Sequence, residues 1–214
     1  MKVLVMGGTQ FNGRALVAEL ARCGHDVTVC NRGKTPGDLP AGVQRLVADR
    51  TDPAALRAAL AGRDWDCVQD MSAYRESDAK LMVELLRGRT GHYVFASSTV
   101  IYAASDLLPI GEDHPLERGE RQNEYGMGKI LCEDVLVREH RERGFPATIV
   151  RPSTTRSDFS QMLIQITSVG CARAKAVGTA QSTMPGQRLL CGVIASSRVV
   201  VISPLAIPHP NTTP

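Results

Sequence analysis

The chain has 214 residues, 43% of them hydrophobic and 22% charged, which is typical of a soluble globular protein with one sizeable domain and part of a second. Its formal net charge of +3 is unevenly distributed, since residues 1–152 contain 20 basic and 21 acidic side chains while residues 153–214 contain five and one. Residues 1–152 thus lack the excess of positive charge that binds nucleic acid, and we do not expect a nucleic-acid partner.

Short apolar segments alternate with longer amphipathic ones along residues 1–152. Strands separated by helices indicate βαβ units and a parallel sheet, and strands that are apolar throughout indicate a sheet covered on both faces. The predicted fold class is therefore α/β, a doubly wound parallel sheet of the Rossmann type. Strands are predicted at residues 2–7, 26–31, 43–49, 66–71, 92–98 and 146–152, and helices at 12–23, 52–61, 76–87 and about 124–143.

Residues 153–214 have a different character. From residue 159 onward there is no Asp or Glu, and the segment ends in PLAIPHPNTTP. RVVVIS at 198–203 has the composition of a strand, but the segment does not continue the alternation of strands and helices. We therefore expect a nucleotide-binding domain at 1–152 and an atypical tail at 153–214 that is poorly ordered or loosely attached.

The turn between the first strand and the first helix reads GGTQFNG, residues 7–13. Glycines at this place let a phosphate approach the backbone and the positive end of a helix. The spacing is loose, and an ordinary turn would also fit it. Its position directly after the first strand favours a dinucleotide site.

The second strand ends in CNRGK, where many dinucleotide folds carry an acidic residue that binds the adenosine ribose. Asn31 stands there instead, so a 2′-phosphate would not be repelled, and Arg32 could pair with it. This favours NADP over NAD, although a solvated loop arginine is an equally simple interpretation. After the third strand, Asp49 could accept a hydrogen bond from an adenine amino group, whereas Asp52 before Pro53 fits a helix cap.

Two later stretches contain candidate catalytic groups. FASSTVIYA places Ser97, Ser98 and Thr99 at the carboxyl end of the fifth strand, where ligands of parallel sheets bind, although such residues also form ordinary turns. NEYGMGK places Tyr125 and Lys129 four residues apart, on one face of a helix. A nearby ammonium favours a phenolate, so Tyr125 could exchange protons near neutral pH. YxxxK alone is common, but together with the serines and the glycine-rich turn it indicates an active site.

These segments together resemble the extended and atypical short-chain dehydrogenase/reductases, the NAD-dependent epimerase/dehydratase family, of which UDP-galactose 4-epimerase is the best-known type. In family order, the matching segments are VLVMGGTQFNG, GHDVTV, ADRTD, FASSTVIYA, YGMGK and ATIVRP. The resemblance implies an NAD(P)-dependent isomerase or oxidoreductase acting on a nucleotide sugar, and pairing into a homodimer through the tyrosine-bearing helix. Gln10 and Asn12 depart from the usual GxxGxxG turn and match the atypical subgroup that includes the chloroplast stem-loop-binding proteins.

The resemblance also assigns roles to residues. Ser98 lies four residues before the tyrosine of a VYG-like motif, here VIYA, and matches the family's strand-end hydroxyl; Tyr125 and Lys129 match its catalytic tyrosine and lysine. Lys129 would also bind the cofactor ribose, and Met71 to Ala73 would form the floor of the nicotinamide side. The implied cofactor-binding residues are Gly7, Thr9, Gln10, Phe11, Asn12, Gly13, Asn31, Arg32, Asp49, Arg50, Met71, Ser72, Ala73 and Lys129.

The cysteines, histidines and apolar runs favour a cytoplasmic protein without a metal or a membrane span. The six cysteines include no CxxC pair, as expected for reduced thiols, and the five histidines are scattered. The run KVLVMGG is too short for a signal peptide, and no stretch reaches about 18 uninterrupted apolar residues.

Three functional hypotheses remain open. The first is an NAD(P)-dependent epimerase, dehydratase or reductase, and the second is a dinucleotide-binding or RNA-associated protein without turnover. The third is an inactive, truncated or frame-shifted family member, because no substrate-binding lobe is recognisable in residues 153–214. Translation of the other reading frames beyond codon 153 would test the third hypothesis.

Overall fold

A computed structural model describes residues 1–35, 39–106 and 110–152, together with the backbone of Val201–Ile202. They form a seven-stranded parallel sheet in the order β3-β2-β1-β4-β5-β6-β7. The strands are β1 (Lys2–Met6), β2 (Asp26–Asn31), β3 (Gln44–Val47), β4 (Cys67–Asp70), β5 (Tyr93–Ala96), β6 (Ala147–Val150) and β7 (Val201–Ile202). The α-helices are α1 (Phe11–Arg22), α2 (Pro53–Leu60), α3 (Glu76–Leu86) and α4 (Glu124–Arg143), and a short 3₁₀ helix spans Thr99–Ile101.

The predicted doubly wound α/β fold is confirmed, with all six strands and four helices of residues 1–152 within two residues of their predicted bounds. Local signals fix several of these bounds. Asp52 caps α2 by accepting hydrogen bonds from two backbone amides, with Pro53 as the first helical residue. Asn123 caps α4, and Gly144 ends it in the left-handed conformation.

Both faces of the sheet are covered. Helix α1 packs on one face, while α2, α3 and α4 pack on the other, so the inner strands are buried except at end residues such as Lys2 and Asp26. The chain first builds the β1-β2-β3 side and then crosses to β4 on the other side of β1. The direction of winding therefore reverses between β1 and β4, which is where ligands bind in open α/β sheets.

The segment RVVVIS contributes two residues to the sheet. Val201 and Ile202 pair in parallel with Ile149 and Val150 of β6, so the expected strand is confirmed for these two residues. The rest of the predicted tail, 153–200 and 203–214, lies outside the described residues. Within the described part of the chain, no helix has the length and apolar character needed to cross a membrane.

Candidate cofactor and active site

A cleft of about 810 Å³ lies at the carboxyl ends of the central strands. Its walls are the turn after β1, the segments that follow β2 and β3, the loop after β4, the end of β5 and the start of α4. All the residues predicted from the sequence as cofactor-binding or catalytic line this cleft except Ala73, which is fully buried beside it. The fold thus brings together segments that are far apart in sequence; the role of each residue remains a prediction.

The glycine-rich turn has the shape of a phosphate cradle. Gly7 and Gly8 have φ angles of +100° and +85°, a region that disfavours other residues. A Cβ atom on Gly13 would lie 2.9 Å from the Gly8 backbone, so α1 packs directly against the turn. Gln10 precedes α1 without a side-chain cap, and the first turn contains no acidic residue. The first amides of α1 and its positive end are therefore suited to an anion.

The segments after β2 and β3 form the opposite end of the cleft. Asn31 accepts a hydrogen bond from the Gly33 amide at 2.8 Å, and Arg32 is exposed. Asp49 accepts hydrogen bonds from the amide and the hydroxyl of Thr51 at 3.0 and 2.7 Å. These bonds, with a smaller contribution from Arg32 and Lys34, lower the pKa of Asp49, so its carboxylate is charged at neutral pH.

Arg50 makes the most extensive ionic contacts in the cleft wall. Its guanidinium donates to both oxygens of Asp70, at 2.8 and 3.0 Å, and to the Ser72 hydroxyl at 2.9 Å. Asp70 is fully buried and also accepts hydrogen bonds from the Tyr93 hydroxyl at 2.6 Å and the Ser72 amide at 3.0 Å. Burial alone would raise the pKa of Asp70, but the charge of Arg50 and these hydrogen bonds lower it.

The carboxylate of Asp70 was not predicted as a site residue, although its position in the sequence contains a signal. Asp70 ends the otherwise mostly apolar run CVQD, and a carboxylate that leads out of a buried strand needs a cationic partner. The sequence does not say which cation supplies the pairing, because Arg50 is 20 residues away.

Lys129 is almost completely buried, with 2% of its surface exposed. Its ammonium donates to the carbonyl oxygens of Ala73 and Ala96 at 2.8 and 2.7 Å and lies 4.7 and 4.8 Å from the ring centroids of Tyr74 and Phe95. Burial lowers the pKa of Lys129 to about 8, because the low-polarity surroundings disfavour the charged form. Lys129 is thus anchored by neutral acceptors from two different strand ends.

Tyr125 extends into the cleft one helical turn before Lys129, and 45% of its surface is exposed. Its ring centroid lies 5.9 Å from that of Tyr74 and 5.7 Å from the Lys129 ammonium. The predicted pairing of Tyr125 and Lys129 on one helix face therefore agrees with the geometry. An exposed phenol beside a buried cation can exchange a proton with a bound molecule.

Ser98 lines the same cleft and caps the 3₁₀ helix by accepting a hydrogen bond from Val100. The next residue, Thr99, is held to the segment after β6, because its amide and its hydroxyl both donate to the carbonyl of Pro152. Arg151 in turn binds Tyr102 at 3.0 Å and both carboxylate oxygens of the buried Glu133 on α4. This network fixes the strand end that presents Ser98.

The glycines of NEYGMGK have separate explanations. A Cβ atom on Gly128 would lie 2.1 Å from the carbonyl oxygen of Tyr74, so α4 approaches the loop after β4 more closely than any side chain allows. A Cβ atom on Gly126 would meet a side chain rather than backbone, that of the hydrogen-bonded Gln122. Gly128 therefore permits the close contact that brings Tyr125 and Lys129 to the cleft. Within the described ranges, no group of His, Cys, Asp and Glu side chains is arranged to hold a metal.

The doubly wound sheet and the cradle at its switch point define a Rossmann-type α/β protein. The model of the NAD dependent epimerase/dehydratase family matches residues 3–176, and the chain belongs to this family. The match continues beyond Pro152, where the family motifs recognised in the sequence end.

Two curated relatives and one solved structure illustrate the similarity. The chloroplast stem-loop binding protein of 41 kDa b from Arabidopsis thaliana is 29% identical over 164 residues, covering 71% of this chain and 41% of that protein. UDP-glucose 4-epimerase of Lactobacillus helveticus is 28% identical over 170 residues, covering 71% of this chain and 51% of that enzyme. The structure of UDP-glucose 4-epimerase from Bifidobacterium longum in complex with NAD+ and UDP superposes with a TM-score of 0.60 at 21% identity, covering 71% of this chain and 53% of that one. The chain thus spans about half the length of these relatives.

Proposed function

We propose that this chain is the NAD(P)-binding part of an epimerase/dehydratase-type oxidoreductase that acts on a nucleotide sugar through Ser98, Tyr125 and Lys129. The observation that carries the proposal is the placement of Tyr125 beside the buried ammonium of Lys129, in the cleft that also contains the glycine-rich cradle. The similarity to a UDP-glucose 4-epimerase supports a nucleotide sugar as the substrate class.

The residues of the cleft fit a dinucleotide. The glycine-rich cradle and the uncapped start of α1 suit a pyrophosphate, and Met71 and Ser72 line the same cleft, with Ala73 buried beside them. When bound there, NAD(P) would supply the acceptor and donor of a hydride. Arg32 and Lys34 also line the cleft, and their positive charges support NADP as the preferred form.

The chain's own residues would handle the proton. The Tyr125 oxygen would take the proton of a substrate hydroxyl while the substrate carbon that carries this hydroxyl is oxidised. It would return the proton when the same carbon is reduced. Lys129 would stabilise the phenolate by its charge, and the Ser98 hydroxyl would orient the same substrate oxygen by a hydrogen bond. The buried position of Lys129 strengthens its field at Tyr125, because the ammonium itself is shielded from solvent.

Calorimetric titration with NAD+, NADH, NADP+ and NADPH tests cofactor binding. We expect binding, with the NADP forms the tighter pair, and Arg32→Ala should weaken the NADP forms more than the NAD forms. Arg138→Ala is a matched control, since it removes the same charge from an exposed part of α4 outside the cleft. Failure of all four nucleotides to bind would refute the cofactor assignment, and an equal loss for NAD and NADP forms would refute the role of Arg32.

Tyr125→Phe separates binding from chemistry. This variant should bind cofactor like the original chain and lose proton transfer, seen as loss of cofactor reduction by UDP-sugars or of their interconversion. Unchanged turnover in Tyr125→Phe would exclude the proposed role of the phenol.

The similarity to a chloroplast stem-loop binding protein supports a second candidate, an RNA-associated protein without turnover. The balance of 20 basic and 21 acidic residues over 1–152 weighs against it. A salt-dependent shift of labelled stem-loop RNA at low ionic strength would favour this candidate.

We also propose a cytoplasmic location and a homodimer, with residues 1–152 as the nucleotide-binding domain. None of the four cysteines in the described part of the chain forms a disulfide, which fits a reducing compartment. Sedimentation equilibrium of the purified chain tests the homodimer, and a monomer at micromolar concentration would exclude it.

A further inference from the structure

The loop that joins β4 to α3, residues 71–75, lies directly against the start of α4. The Ala73 carbonyl accepts a hydrogen bond from Lys129 at 2.8 Å, and the Tyr74 carbonyl occupies the space left by Gly128. One short segment therefore both forms part of the cleft wall and sets the position of the lysine. We call it the β4–α3 loop.

Two buried aspartates hold the backbone of the β4–α3 loop from its ends. Asp70 accepts a hydrogen bond from the Ser72 amide at 3.0 Å. Asp78 accepts hydrogen bonds from the amides of Tyr74 and Arg75 at 2.9 and 3.1 Å. These three hydrogen bonds fix the loop as long as both carboxylates keep their orientation.

Arg50 connects the two aspartates. It binds both oxygens of Asp70 and the Ser72 hydroxyl, and its Nε lies 3.7 Å from Asp78. Among the described residues, Arg50 is the one cation within ion-pair distance of either carboxylate. The side chain is 12% exposed, so water screens these contacts weakly.

We propose that Arg50 is a positioning residue for Lys129, acting through Asp70, Asp78 and the β4–α3 loop rather than through the cofactor. Its planar, forked guanidinium orients one carboxylate and lies beside the second, and the carboxylates shape the loop that presents the carbonyl of Ala73. Lysine has the same charge but lacks the fork. The importance of this chain of contacts for catalysis rests on the proposed function, whereas its effect on Lys129 does not.

Competitive labelling of the full chain with acetic anhydride, without cofactor, measures how firmly Lys129 is held. The amine of Lys129 should react slowly in the original chain, with the exposed Lys80 as an internal reference. Arg50→Lys should raise the labelling rate of Lys129 by at least about tenfold, the change expected when a charge-assisted contact between buried groups is lost. Ser72→Ala keeps both ion pairs and should raise it by about fivefold at most.

Two controls make the result specific. Arg57→Lys disrupts an exposed pair of the same forked geometry, with Glu84 at 2.7 and 2.8 Å, and should leave labelling of Lys129 unchanged. Leu60→Ala removes a buried side chain of α2 that lies away from the loop, and so lowers the stability of the fold. Its labelling rate shows how much labelling of Lys129 results from unfolding alone.

The comparison among variants decides the proposal. A rise in Arg50→Lys well beyond that of Leu60→Ala, with cooperative unfolding retained, supports a positioning role. If Lys129 is labelled no faster in Arg50→Lys than in Leu60→Ala at matched stability, the positioning role of Arg50 is refuted. Because the measurement needs no nucleotide, a failure here is distinguishable from a failure to bind NAD(P), which the calorimetric titration reports.

Discussion

Replacing Lys129 with Met should change how the stability of the protein depends on pH. The pKa of Lys129 is lowered by burial to about 8 in the folded protein, against 10.5 in the unfolded chain. Between these pH values the unfolded chain therefore binds more protons than the folded one. In that range the free energy of unfolding rises with pH, and the Lys129→Met variant lacks this rise.

The magnitude follows from the width of the range. Each pH unit well inside the range between the two pKa values adds about 1.4 kcal/mol to the free energy of unfolding, and each unit near its ends adds less. The free energy of unfolding of the original chain, relative to that of the variant, should therefore rise by about 2 kcal/mol from pH 8 to pH 10. The Ala73 and Ala96 carbonyls do not oppose this change, because a neutral amine still has two N–H groups for two acceptors.

Urea unfolding at pH 7, 8, 9 and 10 measures the effect. Subtracting the variant's values from those of the original chain removes the contributions of thiols and phenols that titrate in both proteins. Lys80→Met is the matched control, because it removes the same charge from an exposed side chain on α3, where burial contributes no comparable rise. A flat difference for Lys129→Met, or one that falls as pH rises, would refute the argument that burial dominates at Lys129.

Two further sets of variants test the packing around the site. Gly128→Ala should lower the free energy of unfolding by about 1–3 kcal/mol, because the methyl group would overlap the Tyr74 carbonyl, and thermal unfolding measures this. Gly126→Ala is its control and should cost less, because its methyl group would displace the Gln122 side chain and its hydrogen bonds rather than backbone, so equal losses would contradict the close-contact argument. Arg151→Met should cost about 3–5 kcal/mol in urea unfolding by leaving Glu133 buried and unpaired, and Arg151→Met with Glu133→Leu should recover most of it. An equally unstable double variant would show that the ion pair itself stabilises the fold.

The fold could be predicted because its signals are local. Most strands between 2 and 152 lie in apolar runs, although β3 begins with Gln44 and Arg45. The pair Asp52–Pro53 marks the start of α2. Tyr125 and Lys129 were predictable for the same reason, since helical spacing alone puts them on one face. Composition indicated a strand at 198–203 but not the pairing of Val201–Ile202 with β6, because nothing in a short apolar segment specifies its partner strand.

The support around the site could not be predicted, because it depends on contacts between distant segments. Arg50 follows one strand and Asp70 ends the next, and periodicity does not encode which of many arginines meets a buried carboxylate. The reason for Gly128 is likewise a carbonyl 54 positions earlier, at Tyr74. Such contacts appear only when the β4–α3 loop and the start of α4 are placed in space.

The choice of partners around Lys129 has a consequence for its charge. A carboxylate bonded to this amine would raise its pKa and offset its field, whereas the carbonyls of Ala73 and Ala96 hold it without neutralising it. The nearby carboxylate of Asp70 is instead bonded to Arg50 on both oxygens. Arg50 therefore supports the site in two ways, by shaping the loop that holds Lys129 and by pairing with the acid that would otherwise neutralise it. The charge of Lys129 is thereby left to act on Tyr125, which is the property that the proposed proton transfer requires.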